Sequence, residues 1–121
     1  MTVFDASALL AYLRDEPGAS IVRQRLESGG ACGSANWSEV AQKVRAAGAD
    51  WALARGLLLS YPLIIEPVSL DDAERAAQMW HPTTALSLAD RLCLALAERR
   101  EVTALTADAA WRAHPRAELI R

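Results

Sequence analysis

Four acidic residues stand where helical patterns open: Asp5 directly after "TVF", Glu39 three residues past Asn36, Asp90 three past Ser87, and Asp108 two residues past "ALT". A carboxylate in such a place has two readings. It can cap its helix, because side-chain oxygens there accept bonds from the free N–H groups and the helix dipole favours negative charge. Asn36-x-x-Glu39 and Ser87-x-x-Asp90 are variants of the capping box, and Asp5 and Asp108 suit the N-cap position. The other reading applies if the fold gathers the acids in one place. Carboxylates held close together repel, so one of them takes a proton or a cation enters. Oxygen-only ligands suit a hard ion such as Mg2+ or Mn2+ rather than zinc. An ion held this way activates water and offsets charge on a phosphodiester, so the chemistry open to these residues is metal-dependent phosphoryl chemistry.

Whether the acids meet depends on the elements that carry them. The β-prone runs "TVF", "ACGSA", "LIIEPVS" and "VTALT", with a last strand near "AELI", are separated by helical patterns. The helices are "DASALLAYLRD", "ASIVRQRLESG", "NWSEVAQKVRAAG", "DWALARGLLLSY", "LDDAERAAQMW", "LSLADRLCLALA" and a short one from "DAAWRAH". This alternation predicts an α/β fold with a mostly parallel central sheet. In such a sheet every strand that passes into a helix does so at the same edge, where binding sites lie. Asp5 and Asp108 leave their strands at that edge, and Glu39 follows "ACGSA". Asp90 opens the helix that leads back into "VTALT", with no strand immediately before it.

The bulk properties narrow the class. A chain of 121 residues predicts one domain, spanning 1–121. Hydrophobic residues make up 52% and charged residues 23%, the balance of an ordinary globular protein. No apolar run approaches the roughly 20 residues of a membrane span. "MTVFDASALL" lacks the basic region of a secretory signal, so the cytoplasm is the expected compartment. Cys32 and Cys93 lie among small apolar residues and read as buried hydrophobes. A net charge of −2 argues against a surface coated in positive charge, but a local basic groove remains open to nucleic acid.

"VFDASALLAYL", "SANWSEV", "LSLADRLCLALA" and "LTADAAW", in that order from Val3 to Trp111, resemble the PIN-domain fold. The resemblance is closer to the VapC-type toxin ribonucleases of bacterial toxin–antitoxin pairs. It implies a three-layer α/β/α sandwich and an acidic pocket holding Mg2+ or Mn2+. Asp5, Glu39, Asp90 and Asp108 fall at the family's four acid positions, with Asp5 and Asp90 as direct metal ligands. Glu39 and Asp108 would ligate directly, act through water or orient the nucleophile. Ser7 and Thr106 fall at hydroxyl positions that line such a pocket, though capping or turn bonds explain them equally well. The resemblance also implies an RNA substrate, a homodimer and a cognate antitoxin. The antitoxin groove is assigned to the apolar stretch Trp51 to Tyr61, through Trp51, Leu53, Leu57, Leu58 and Tyr61.

Two other functions fit the length and pattern. A receiver-like phospho-acceptor domain needs an acidic pair near the first strand and a lysine beside the last ones. Asp5 has no acidic neighbour, and the only lysine is Lys43. A non-catalytic PIN-like binding module would keep the fold without the chemistry. No serine lies in a nucleophile-elbow context. His81 and His114 read as helix-end residues, Asp71 and Asp72 as solvated first-turn acids. Arg14, Lys43 and Arg45 are candidates for gripping an RNA backbone, and Arg91 is first a surface residue.

Overall fold

A computed structural model describes all 121 residues. The first strand, β1 (Thr2–Phe4), passes into α1 (Ala6–Leu13) and α2 (Ala19–Ser28). Strand β2 (Gly30–Gly33) leads into α3 (Ser34–Ala46) and α4 (Trp51–Leu59), then β3 (Leu63–Glu66) into α5 (Leu70–Gln78) and α6 (Leu88–Arg100). The chain closes with β4 (Thr103–Thr106), a single 3₁₀ turn (Ala109–Trp111) and β5 (Ala117–Leu119). The short helix expected from "DAAWRAH" is a single 3₁₀ turn. No helix is long and apolar enough to cross a membrane.

The five strands form one sheet in the order β3-β2-β1-β4-β5, and every pairing is parallel. Receiver domains have the order 2-1-3-4-5, so this topology excludes that alternative. Side chains alternate across the sheet as strand geometry requires. Phe4 and Leu105 enter one core with Leu9, Leu10, Leu26, Val40 and Leu58, from helices α1 to α4. Their neighbours Val3 and Ala104 enter the other, with Cys93, Leu94, Leu96 and Trp111. The result is the expected three-layer α/β/α sandwich. At Gly30 an added Cβ would lie 2.1 Å from the Thr2 carbonyl oxygen and 2.7 Å from the Phe4 ring. Only glycine lets β2 lie this close to β1.

Ion pairs fasten the outer layer of α5 and α6. Arg99 on α6 donates to both oxygens of Asp72 on α5, at 2.8 and 3.0 Å. Glu66 at the end of β3 pairs with Arg99 at 3.9 Å and with Arg100. Asp72 is only 4% exposed, so it is a buried partner of α6 and not the solvated acid its place in the first turn suggested. Ser69 caps α5, its hydroxyl accepting from the Asp72 N–H at 3.0 Å.

Candidate active site

The chain runs β1, β2, β3 toward one edge of the sheet, then returns to place β4 and β5 on the other side of β1. The direction of winding thus reverses between β1 and β4, and the crevice beyond their carboxyl ends is where open α/β sheets bind ligands. Asp5 leaves β1 at this point and Thr106 ends β4. The backbones are joined there by the Asp5 N–H, which donates to the Leu105 carbonyl at 3.0 Å.

Asp5 occupies the N-cap position of α1, yet its side chain makes no cap bond. Its Oδ2 instead accepts from the Ser7 hydroxyl at 2.5 Å and from the Thr106 hydroxyl at 2.8 Å. Each hydroxyl is turned toward the carboxylate by a backbone donor behind it. Ser7 Oγ accepts from the Ala107 N–H at 2.9 Å, and Thr106 Oγ1 from the Asp108 N–H at 3.0 Å. A hydroxyl has one proton, so both are spent on Oδ2. Oδ1 accepts no bond from the chain. The residue is 3% exposed, and burial is the chief reason its carboxyl is pushed up from 3.8 to about 6. The two hydroxyl donors oppose that shift, while repulsion from Asp90 and Glu39 adds to it.

Asp90 lies in the first turn of α6 and closes a complete capping box. Its Oδ2 accepts from the Ser87 N–H at 2.9 Å, and its own N–H donates to Ser87 Oγ at 3.1 Å. Capping and a place in the pocket coexist here, because one carboxylate oxygen suffices for the box. The second expected capping box is absent. Helix α3 begins at Ser34 with Gly33 as N-cap, two residues before Asn36, so Glu39 lies too deep in the helix to cap it. Glu39 is half-buried, with Lys43 Nζ 3.8 Å from its carboxylate.

Asn36 has a different task from the one its spacing suggested. It is 1% exposed, and its Nδ2 donates to the Ala89 carbonyl at 3.3 Å. Because Ala89 adjoins Asp90, this bond ties the helix bearing Glu39 to the turn bearing Asp90. Asn36 Oδ1 is buried with no partner. The signal available in the sequence was a polar residue one turn before an acid on a helix, which a capping box mimics.

Asp108 stands apart. It is exposed, its Oδ1 accepts from the Ala110 N–H at 2.9 Å, and it is not among the groups whose charge acts on Asp5. The charges of Asp90 and Glu39 thus reach Asp5 beside its hydroxyl pair, while the Asp108 side chain caps the 3₁₀ turn after β4. No three acidic, histidine or cysteine side chains form a ready-made metal cage. That arrangement fits Mg2+, which keeps several waters and is held by one or two carboxylates. An all-oxygen donor set and a buried carboxylate with a free oxygen meet its needs. Beneath the pocket, Cys32 and Cys93 are buried, and burial pushes both thiols far above the reactive range.

The other singled-out residues lie elsewhere. Arg91 reaches back to the Ala76 carbonyl at 2.8 Å and so holds the end of α5. Arg14 lines an apolar groove of about 430 Å³ with Leu13, Val44, Ala54, Leu53 and Leu57. Of the five groove residues expected in Trp51 to Tyr61, Leu53 and Leu57 are exposed there. Leu58 is fully buried in the core, Trp51 packs edge-on against Trp37 at 5.2 Å, and the Tyr61 hydroxyl meets that of Tyr12 at 2.7 Å. These three lie on the inward side of α4 and its exit, which helical periodicity separates from Leu53 and Leu57.

Comparison with known proteins agrees with this architecture. The structure is similar to that of a toxin–antitoxin complex from Klebsiella pneumoniae, with a TM-score of 0.78 and 21% identity over 100% of this chain and 98% of that one. It is also similar to Mycobacterium tuberculosis VapC20, described as a sarcin–ricin-loop cleaving toxin, with a TM-score of 0.75 and 15% identity over 95% of each chain. None of the curated proteins matches the sequence. The family model of the PIN domain matches residues 2–117, and the chain belongs to that family.

Proposed function

We propose that this protein is a divalent-metal-dependent endoribonuclease of the VapC toxin kind, restrained by a cognate antitoxin. The observation that carries the reading is the buried Asp5 carboxylate at the β1–β4 crevice, with Asp90 and Glu39 close enough to raise its proton affinity. The kinship with a toxin–antitoxin complex and with an RNA-cleaving toxin supports the choice of substrate and partner.

Asp5 and Asp90 would hold Mg2+, or Mn2+ in its place, since Ser7, Thr106 and the capping box engage only one oxygen of each carboxylate. The bound ion supplies a water of lowered pKa and offsets charge on the phosphodiester. Ser7 and Thr106 fix the Asp5 carboxylate so that no reorientation is needed when the ion binds. Glu39 orients the attacking water, a role open to a half-buried carboxylate near Asp5. Asp108 acts at the rim, on the side where the leaving strand departs. The groove at Leu53 and Leu57 receives an apolar segment of the antitoxin, and the active form is a cytoplasmic homodimer.

The test is to purify the protein free of any partner and incubate it with RNA and Mg2+. Cleavage that stops with EDTA and with Asp5→Ala or Asp90→Ala supports the reading. Cleavage indifferent to both would remove the mechanism. RNA binding without cleavage, unchanged when all four acids become alanine, would mark a non-catalytic binding module.

A further inference from the structure

A second concavity is lined by the segments that lead to Asp90 and follow Asp108, and is used by none of the roles above. It is a cleft of about 330 Å³ between the loop leading into α6 and the segment following β4. That volume is at the lower end of small-molecule sites, about 300–1,000 Å³. One wall carries His81, Thr83, Thr84 and Leu86, and the other carries Ala110 and Trp111.

Both walls are continuous with candidate site residues. Leu86 immediately precedes Ser87, which anchors the Asp90 carboxylate. Ala110 donates its N–H to Asp108 Oδ1 at 2.9 Å. The cleft is thus walled by the two segments that carry Asp90 and Asp108, within reach of a nucleotide that flanks one bound at those acids.

The lining chemistry suits a nucleotide. Thr84 Oγ1 already accepts from the Leu86 N–H at 3.2 Å, which leaves its proton for a ligand. Thr83 and His81 are exposed, joined only to each other at 3.2 Å, so both can turn to a base edge or face. Trp111 is fully buried at the base of the cleft, and its Nε1 has no partner. His114 is committed elsewhere: its Nδ1 accepts from the Arg116 N–H at 3.0 Å, and Nε2 faces Glu98 at 3.3 Å.

We infer that this cleft is a nucleotide subsite, which receives a base of single-stranded RNA flanking the scissile phosphate. His81 stacks on the base and the threonine hydroxyls bond its edge, the means by which proteins read unpaired RNA. The choice of RNA as ligand rests on the nuclease reading.

The experiment uses isotope-labelled full-length protein in EDTA, so that binding is read without cleavage. The four ribonucleoside 5′-monophosphates, inorganic phosphate and a ten-nucleotide RNA strand are titrated while backbone amides are followed. At least one monophosphate is expected to shift the amides of residues 83–86 and 110–113 saturably, with no such effect from inorganic phosphate. The double substitution His81→Ala and Thr83→Val, at exposed positions, is expected to weaken RNA binding about fivefold, as loss of an ordinary hydrogen bond does. It also changes base preference beside the cut and leaves Mn2+ binding unaltered. Shifts confined to other residues, shifts reproduced by phosphate alone, or parental binding and preference in the variant would each overturn the subsite. A protein that binds nucleotides here yet cleaves no RNA keeps the subsite and refutes the nuclease reading. One that cleaves with unchanged preference after the substitutions refutes the subsite alone.

Discussion

Asp5 and Thr106, 101 residues apart in sequence, are joined by a buried 2.8 Å hydrogen bond across the ends of adjacent parallel strands. The bond is charge-assisted when Asp5 is ionised, and such bonds contribute more than neutral ones. Thr106→Val keeps the volume and removes the hydroxyl, leaving Asp5 with one donor and the Asp108 N–H with none. The expected cost is about 1–3 kcal/mol in urea unfolding, together with a higher Mg2+ requirement for activity. Unchanged stability and metal requirement would show that the bond does not organise the pocket.

Asp5 also sets a pH dependence. Its carboxyl is raised from 3.8 to about 6, so the metal-free folded state binds this proton more tightly than the unfolded chain does. The contribution to stability is full below about pH 4 and is lost as pH rises through 6, leaving the ionised group a burden of about 3 kcal/mol at neutral pH. In EDTA, Asp5→Asn is therefore expected to stabilise the protein by up to that amount at pH 8 and by almost nothing at pH 4. Unfolding curves at the two pH values measure the difference. An equal effect at both would contradict the shift.

Asn36 separates stability from positioning. Its Oδ1 is buried and unpaired, so replacing the amide with an apolar group of similar size removes an unsatisfied atom along with one bond. Asn36→Leu is expected to change unfolding stability by less than about 1 kcal/mol. Cleavage should fall at least about tenfold, because Glu39 loses its tie to the turn bearing Asp90. Full activity in a stably folded variant would remove the positioning role.

Ser87 supports Asp90 through the capping box. Ser87→Ala is expected to cost about 1 kcal/mol and Ser87→Gly only a few tenths, measured by thermal or urea unfolding. Equal, negligible losses would mean that the box does not hold the helix opening.

The alternation from Thr2–Phe4 through Ala117–Leu119 was readable because strand and helix periods differ and Gly29, Gly48 and Pro62 mark the breaks. The Ser87–Asp90 box was readable because it is local. What local pattern could not supply was contact between distant segments. Asn36 looked like a cap for Glu39, yet Gly33 opens that helix and Asn36 serves Ala89, 53 residues away. Asp72 looked solvated until Arg99 arrived from α6. Trp51 and Leu58 share an apolar helix with Leu53 and Leu57, and Tyr61 follows at its exit, but which side faces the core depends on where α1 and α3 pack. Asp5 and Asp108 both follow strands and both take the N-cap position, yet Asp5 makes no cap bond while Asp108 accepts from the Ala110 N–H.

The central claim is that Asp5, Asp90 and Glu39 form one cation pocket at the β1–β4 crevice. The most direct measurement is paramagnetic broadening of backbone amides by substoichiometric Mn2+. Broadening is predicted to centre on residues 5–7, 89–91 and 106–108, to saturate, to be displaced by Mg2+ and to vanish in Asp5→Asn. Broadening centred elsewhere, such as on Asp71 and Glu74, or unchanged in Asp5→Asn, would contradict it.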